Sequence, residues 1–106
     1  VMYGTGQGVK KEHTKAFYWY KKSAKQGNEL AQMNLGMAYL GGKGVGQNSE
    51  KAVEWLEKSA DQGCAGAQNN LGRIYLKKQD YEQAFKWYQQ AADQGDKDGQ
   101  SNLGMM

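Results

Sequence analysis

His13 and Cys64 are the only imidazole and the only thiol in this chain, so they bound the metal or nucleophilic chemistry open to it. A zinc site needs several thiolate, imidazole or carboxylate ligands, and one His with one distant Cys is not a set. A catalytic thiol needs a base within hydrogen-bond reach. His13 reads as a surface residue at the start of a helix, and Cys64 as a solvent-near thiol in a turn, in different parts of the chain. Gly4-Thr5-Gly6-Gln7-Gly8-Val9-Lys10-Lys11 invites comparison with a phosphate loop. It lacks the Gly-x-x-x-x-Gly-Lys-Ser/Thr spacing of that loop and the preceding strand of a dinucleotide loop. Asp96 and Asp98 could pair as carboxylates, but they stand where the positive end of a final helix favours negative charge. No catalytic constellation emerges, and the reading is of a non-enzyme with no cofactor and no metal.

The elements that must position any site come from composition and periodicity. The 106 residues suffice for one compact unit and can bury a core without staples. The formal charge is +3, from 14 basic and 11 acidic residues, and the lysines read as scattered. A nucleic-acid binder shows a basic stripe, so nucleic acid is not the expected partner. No run approaches the roughly 18 apolar residues of a membrane span, so membrane insertion is not expected. With a single cysteine no intramolecular disulfide can form, and the compartment stays open. Fifteen glycines and no proline are the odd numbers, and the glycines recur at fixed positions.

That recurrence is an internal repeat. Ala31-Gln32-Met33-Asn34-Leu35-Gly36-Met37-Ala38-Tyr39 returns 36 residues on as Ala67-Gln68-Asn69-Asn70-Leu71-Gly72-Arg73-Ile74-Tyr75, and 32 further on as Gly99-Gln100-Ser101-Asn102-Leu103-Gly104. A second block, Ala16 to Gly27, returns at Ala52 to Gly63 and at Ala84 to Gly95, each with a Trp (19, 55, 87) and a Gln-Gly end. Ala31, Leu35, Ala38 and Tyr39 fall on one face of a helix, as do Ala52, Trp55, Leu56, Ser59 and Ala60. The second helices have caps at Asn48 and Asp80, with Gln83 placed to complete a capping box. They end at Gly27, Gly63 and Gly95, where glycine takes a left-handed conformation. Gly36 and Gly72 sit inside first helices, where each costs about 1 kcal/mol relative to Ala. Close approach of a neighbouring Trp or Tyr compensates, with Trp19, Trp55 and Trp87 as candidates. The aromatic set reads as core, and the small alanines 16, 24, 52, 60, 84 and 92 serve the same interdigitation.

The pattern Ala-x-x-Asn-Leu-Gly-x-x-Tyr, a Gly-x-Gly-Val loop, and Ala-x-x-Trp-x-x-x-Ser/Ala-Ala-x-Gln-Gly resembles the Sel1-like repeat, a relative of the tetratricopeptide repeats. The resemblance spans the whole chain. It implies an all-α fold, a right-handed α-solenoid of stacked helix-turn-helix repeats with a concave inner surface, and an adaptor role in protein complexes. The array divides into a partial repeat 1–27, a repeat 28–63, a shortened repeat 64–95 and the start of another at 96–106, framed as a piece of a longer array. Two loops, Gly6-Gln7-Gly8-Val9 and Gly42-Lys43-Gly44-Val45, follow the pattern. The third has only Lys77-Lys78-Gln79-Asp80 and implies a tighter turn. Members of the family occur in bacterial envelopes and in the eukaryotic endoplasmic reticulum; a bacterial periplasm, envelope or cytoplasm is the expectation.

Mapped as in tetratricopeptide proteins, the groove takes Leu30, Met33, Asn34, Met37 and Leu40, then Asn69, Asn70, Arg73, Leu76 and Lys77, then Ser101, Asn102 and Met105. Met33, Asn34, Met37, Asn69, Asn70, Arg73, Lys77 and Asn102 are the candidate partner-binding residues. Asn34, Asn70 and Asn102 share one register, where an amide can donate to and accept from an extended peptide or bond to the neighbouring repeat. The methionines offer an adaptable apolar lining, and Arg73 and Lys77 could pair with an acidic side chain or a C-terminal carboxylate. The expected function is a scaffold that holds a protein or peptide partner in its groove, of open oligomeric state. The alternatives are a structural segment packed on sister domains, or a cell-wall glycan binder that stacks sugars on aromatics.

Overall fold

A computed structural model describes residues 7–106, with side chains described from Glu12 onward. Six helices follow one another: α1 (Gln7–Lys25), α2 (Glu29–Gly41), α3 (Ser49–Asp61), α4 (Ala65–Lys77), α5 (Tyr81–Asp93) and α6 (Lys97–Met105). No strand occurs among the described residues. α2 with α3 and α4 with α5 form hairpins, and α1 packs on α2, α3 on α4 and α5 on α6. The stack extends 43 × 30 × 24 Å. The architecture is an all-α repeat solenoid.

The helix boundaries follow from caps. Asn28 Oδ1 accepts from the Ala31 N–H at 2.8 Å, Asn48 Oδ1 from Lys51 at 3.1 Å, and Asp80 Oδ1 from Gln83 at 3.3 Å. Each satisfies a donor that the first helical turn leaves orphaned. The capping box at Asp80 is only half made: its own N–H goes to the Tyr75 carbonyl, not to Gln83. Gly27, Gly63 and Gly95 lie in the left-handed region at φ 93°, 94° and 83°, as expected of residues just past a helix end.

Expectations for the first repeat change. Gly6 lies outside the described residues, and positions 7–9, expected as a loop, form the first turn of α1. His13 is therefore inside α1 and half-buried rather than at a helix start on the surface. The loop of the second repeat reaches back to it: a Cβ on Gly44 would collide with the His13 carbonyl. The seven residues 42–48 that make this contact shrink to three between α4 and α5, 78–80, where Gln79 takes a left-handed φ of 64°.

The core lies between successive helices rather than in one centre. One cluster gathers Ala24, Ala31, Leu35, Tyr39 and Ala52, and the next gathers Leu56, Ala60, Cys64, Ala67, Leu71 and Trp87. The residues that seat on the mid-helix glycines are not the tryptophans. Leu56 covers Gly36, and the Tyr88 ring covers Gly72 so closely that an added Cβ would lie 2.5 Å from it. Trp55 and Trp87 stand one residue earlier, about 100° around the helix. That rotation turns Trp87 onto Leu56 and Ala60 of the preceding repeat and onto Cys64 at the junction. Burial of the aromatics is also incomplete: Tyr18, Trp19, Tyr81 and Phe85 are 68%, 63%, 57% and 46% exposed. Of the alanines, 24, 52, 60 and 84 are buried and 16 and 92 half-buried. Cys64, expected near solvent, is buried beside Met33, with 3.9 Å between the sulfurs.

Candidate functional site

Seven of the eight candidate residues separate into two groups, and Asn34 lies apart from both. Met37, Asn70, Arg73 and Lys77 come together where α2 faces α4. Asn70 is 9% exposed. Its Oδ1 accepts from Arg73 Nη2 at 2.7 Å, and its Nδ2 reaches Met37 Sδ at 3.3 Å. A thioether is a weak acceptor, so the amide keeps most of its donor capacity. Beside these residues a cleft of about 550 Å³ is lined by Leu40, Gln47, Ser49, Asn70, Arg73, Ile74, Lys77 and Lys78. Leu40 also borders a second recess of about 380 Å³, where Asn34, Met37 and Ala38 meet His13, Phe17 and Tyr20 of α1.

The local sequence explains the placement. Residues 70, 73, 74 and 77 follow the i, i+3, i+4, i+7 spacing of one helical face. Gln47 is brought in from the loop by its own bond, Nε2 donating to the Leu40 carbonyl at 2.9 Å. The cleft thus has apolar flanks at Leu40 and Ile74, a buried amide at its wall, and three cationic heads, two on α4 and one on its C-cap Lys78. Arg73 also faces the buried Tyr88 phenol, whose pKa is raised by burial, with the guanidinium opposing that rise. Next to the cleft, Tyr75 is likewise raised, first by burial and then by the carboxylates of Glu57 and Asp80.

Met33, Asn69 and Asn102 lie in contacts between repeats. Met33 packs against Gly66 and Cys64. Asn69 Nδ2 donates to Asp96 Oδ2 at 2.8 Å, and Asn102 Nδ2 approaches Asn69 Oδ1 at 3.4 Å. Asp96 in turn accepts from the Gly99 N–H at 2.8 Å as the cap of α6. The Asn69 bond, and then the Gly99 bond, hold its carboxyl below the usual Asp range. Among the described residues, no three His, Cys, Asp or Glu side chains gather as a metal set, and no helix is long and apolar enough to cross a membrane.

One set of residues went unread although the repeat displays it. Gln32 Nε2 donates to the Ala24 carbonyl at 3.2 Å, and Gln62 Nε2 donates to Gln32 Oε1 at 2.7 Å. One repeat on, Gln68 Nε2 donates to the Ala60 carbonyl at 3.1 Å, and Gln94 Nε2 to Gln68 Oε1 at 2.8 Å. Ser59 adds a bond to the Glu29 carbonyl at 2.7 Å. Buried amides must be satisfied, and these form a polar ladder that fixes each hairpin against its predecessor. The signal was there: a glutamine recurring in register next to a core alanine has to find a partner.

The sequence model of the Sel1 repeat matches three segments of the chain, residues 1–28, 29–64 and 65–96. No curated protein sequence matches significantly. Among solved structures, a Sel1 repeat protein from Oxalobacter formigenes is similar, with a TM-score of 0.80 and 35% identity over 87% of this chain. A protective antigen present in uropathogenic Escherichia coli strains, which displays the SLR fold, gives 0.81 and 37% over 96%. The chain spans only 38% and 23% of the lengths of those two proteins.

Proposed function

This chain belongs to the Sel1 repeat family, and from that premise we propose that it holds a protein partner in the cleft between α2 and α4. Proteins built of Sel1 repeats generally serve as interaction scaffolds and are typically non-enzymatic. The finer reading, that an extended peptide with an acidic side chain or end group lies along Leu40, Asn70, Arg73 and Lys77, rests on one observation. Asn70 is buried in the cleft wall with its amide N–H set against a thioether, a poor acceptor that a peptide carbonyl would improve on. Arg73 and the two lysines then supply the charge an acidic group needs, and Leu40 and Ile74 supply apolar contact.

Affinity capture with this chain, compared with the Asn70→Ala/Arg73→Ala double variant, tests the reading. Loss of a retained protein in the variant, with helicity and melting unchanged, is the expected result. Equal retention by both proteins would remove the cleft from the account. A variant that unfolds would make the Asn70–Arg73 pair structural; Lys77→Glu, exposed and without that pairing, then carries the test.

A further inference from the structure

The lysines that look scattered along the chain are concentrated once the helices are known. α1 carries six of them, at 10, 11, 15, 21, 22 and 25, against a single Glu12. All other residues together hold eight basic and ten acidic side chains. The molecule is therefore strongly cationic on one helix and slightly anionic elsewhere. Lys15, Lys21, Lys22 and Lys25 are exposed, and so is Tyr18 in their midst. Phe17, Tyr18 and the last three lysines frame a shallow recess of about 410 Å³.

The other repeats act as an internal control on what the fold itself needs here. The counterparts of Tyr18, Lys21 and Lys25 are Glu54, Glu57 and Asp61 in α3, and Lys86, Gln89 and Asp93 in α5. Packing thus tolerates opposite charge at each position, and the cationic face is particular to α1. Its exposure is not an accident of position either, because Glu54, Asp61, Lys86, Gln89 and Asp93 are exposed within the stack. Trp19 is set aside, since its counterpart Trp87 is covered by the preceding repeat.

We propose that the outer face of α1 docks the protein on an anionic lipid surface. The 19 residues of α1 present a straight edge of about 28 Å. Four to eight lysines on such a helix suit a sheet of anionic headgroups. The face is made of lysine alone, and the one arginine of the chain lies in the cleft. A strongly hydrated ammonium suits a diffuse field of headgroups, whereas bidentate recognition of a single carboxylate or phosphate favours arginine. Tyr18 supplies the amphipathic ring that settles at headgroup depth, with lysine stems alongside it. The apolar face of α1 is spent on α2, so the helix lies on the surface without inserting. This docking is independent of the cleft and leaves it open.

Co-sedimentation with vesicles of phosphatidylglycerol and phosphatidylcholine in equal parts, against phosphatidylcholine alone, reads the proposal. The protein should pellet with the first and not the second, and salt should release it as exposed charges are screened. Lys21→Glu/Lys25→Glu should weaken partitioning at least about thirtyfold. Lys86→Glu/Lys97→Glu, an equal change of net charge placed on α5 and α6, should stay within about threefold because those charges belong to helices other than the docked one. Circular dichroism verifies that both variants remain helical, and the salt titration of the unaltered protein stands without them. Failure to pellet, equal loss in both variants, or equally tight binding of double-stranded DNA or polyglutamate would overturn the proposal.

Discussion

Gly36, Gly72 and Gly104 occupy one register of the repeat but meet different surroundings. At Gly72 the Tyr88 ring fills the space of a side chain, whereas nothing lies within 4 Å of a Cβ on Gly104. Gly72→Ala should therefore destabilise by about 1–3 kcal/mol through overpacking. Gly104→Ala should be neutral or stabilise by up to about 1 kcal/mol through helix propensity. Urea midpoints of the two variants measure the contrast, and equal effects would show that the register, not the contact, sets the cost. The need for close approach at these glycines was legible in the sequence; the residue that makes it was not. Leu56 and Tyr88 adjoin the tryptophans, and choosing between neighbours 100° apart on a helix requires knowing which element packs there. Asn70 and Arg73 were each legible as groove residues by analogy with the tetratricopeptide repeats, but their bond to one another was not legible. The parts of Gln47 and Ser49 in the cleft were not legible, because the path of a loop and of the helix start it feeds over a neighbouring helix has no periodicity to read.

At the scale of elements, the caps carry the boundaries, and α6 depends on one of them. Asp96 accepts from Gly99 within α6 and from Asn69 of α4, so one carboxylate both starts the helix and ties it to the preceding hairpin. Its carboxyl is held below the usual range in the folded state, so its contribution is complete above the ordinary Asp value of about 4. That contribution is lost as pH falls through the lower folded value. Asp96→Ala should cost about 0.5–2 kcal/mol at neutral pH. The gap in melting temperature between variant and unaltered protein should close below about pH 4, as the linkage requires. A gap that persists into strong acid would mean that the side chain acts by packing rather than charge. Helix order, the glycine stops and the tight turn after α4 were all legible. The upstream extent of α1 was not, since a Gly-x-Gly-Val stretch that forms a loop in the second repeat is helical at positions 7–9. Similar letters there take different conformations, and the second copy is held by its close approach to α1 at the His13 carbonyl.

Across the whole molecule, each repeat is held to the next by a shared apolar cluster and a glutamine ladder, which leaves the faces of the stack free to differ. On one side the cleft between α2 and α4 gathers cations around a buried amide. On another, α1 carries a lysine face that its sister helices lack. Differences laid over a common frame of this kind are what a scaffold requires, since the frame sets spacing and the faces set partners. The central claim is that the cleft is the place where a partner is held. A photo-reactive side chain installed at Leu40 in the cleft, and separately at Phe85 on the exposed face of α5, tests it most directly, with and without Asn70→Ala/Arg73→Ala. The account predicts a covalent adduct with a partner protein from position 40 that disappears in the double variant, and none from position 85. An adduct from position 85 alone, or one from position 40 indifferent to Asn70 and Arg73, would contradict it.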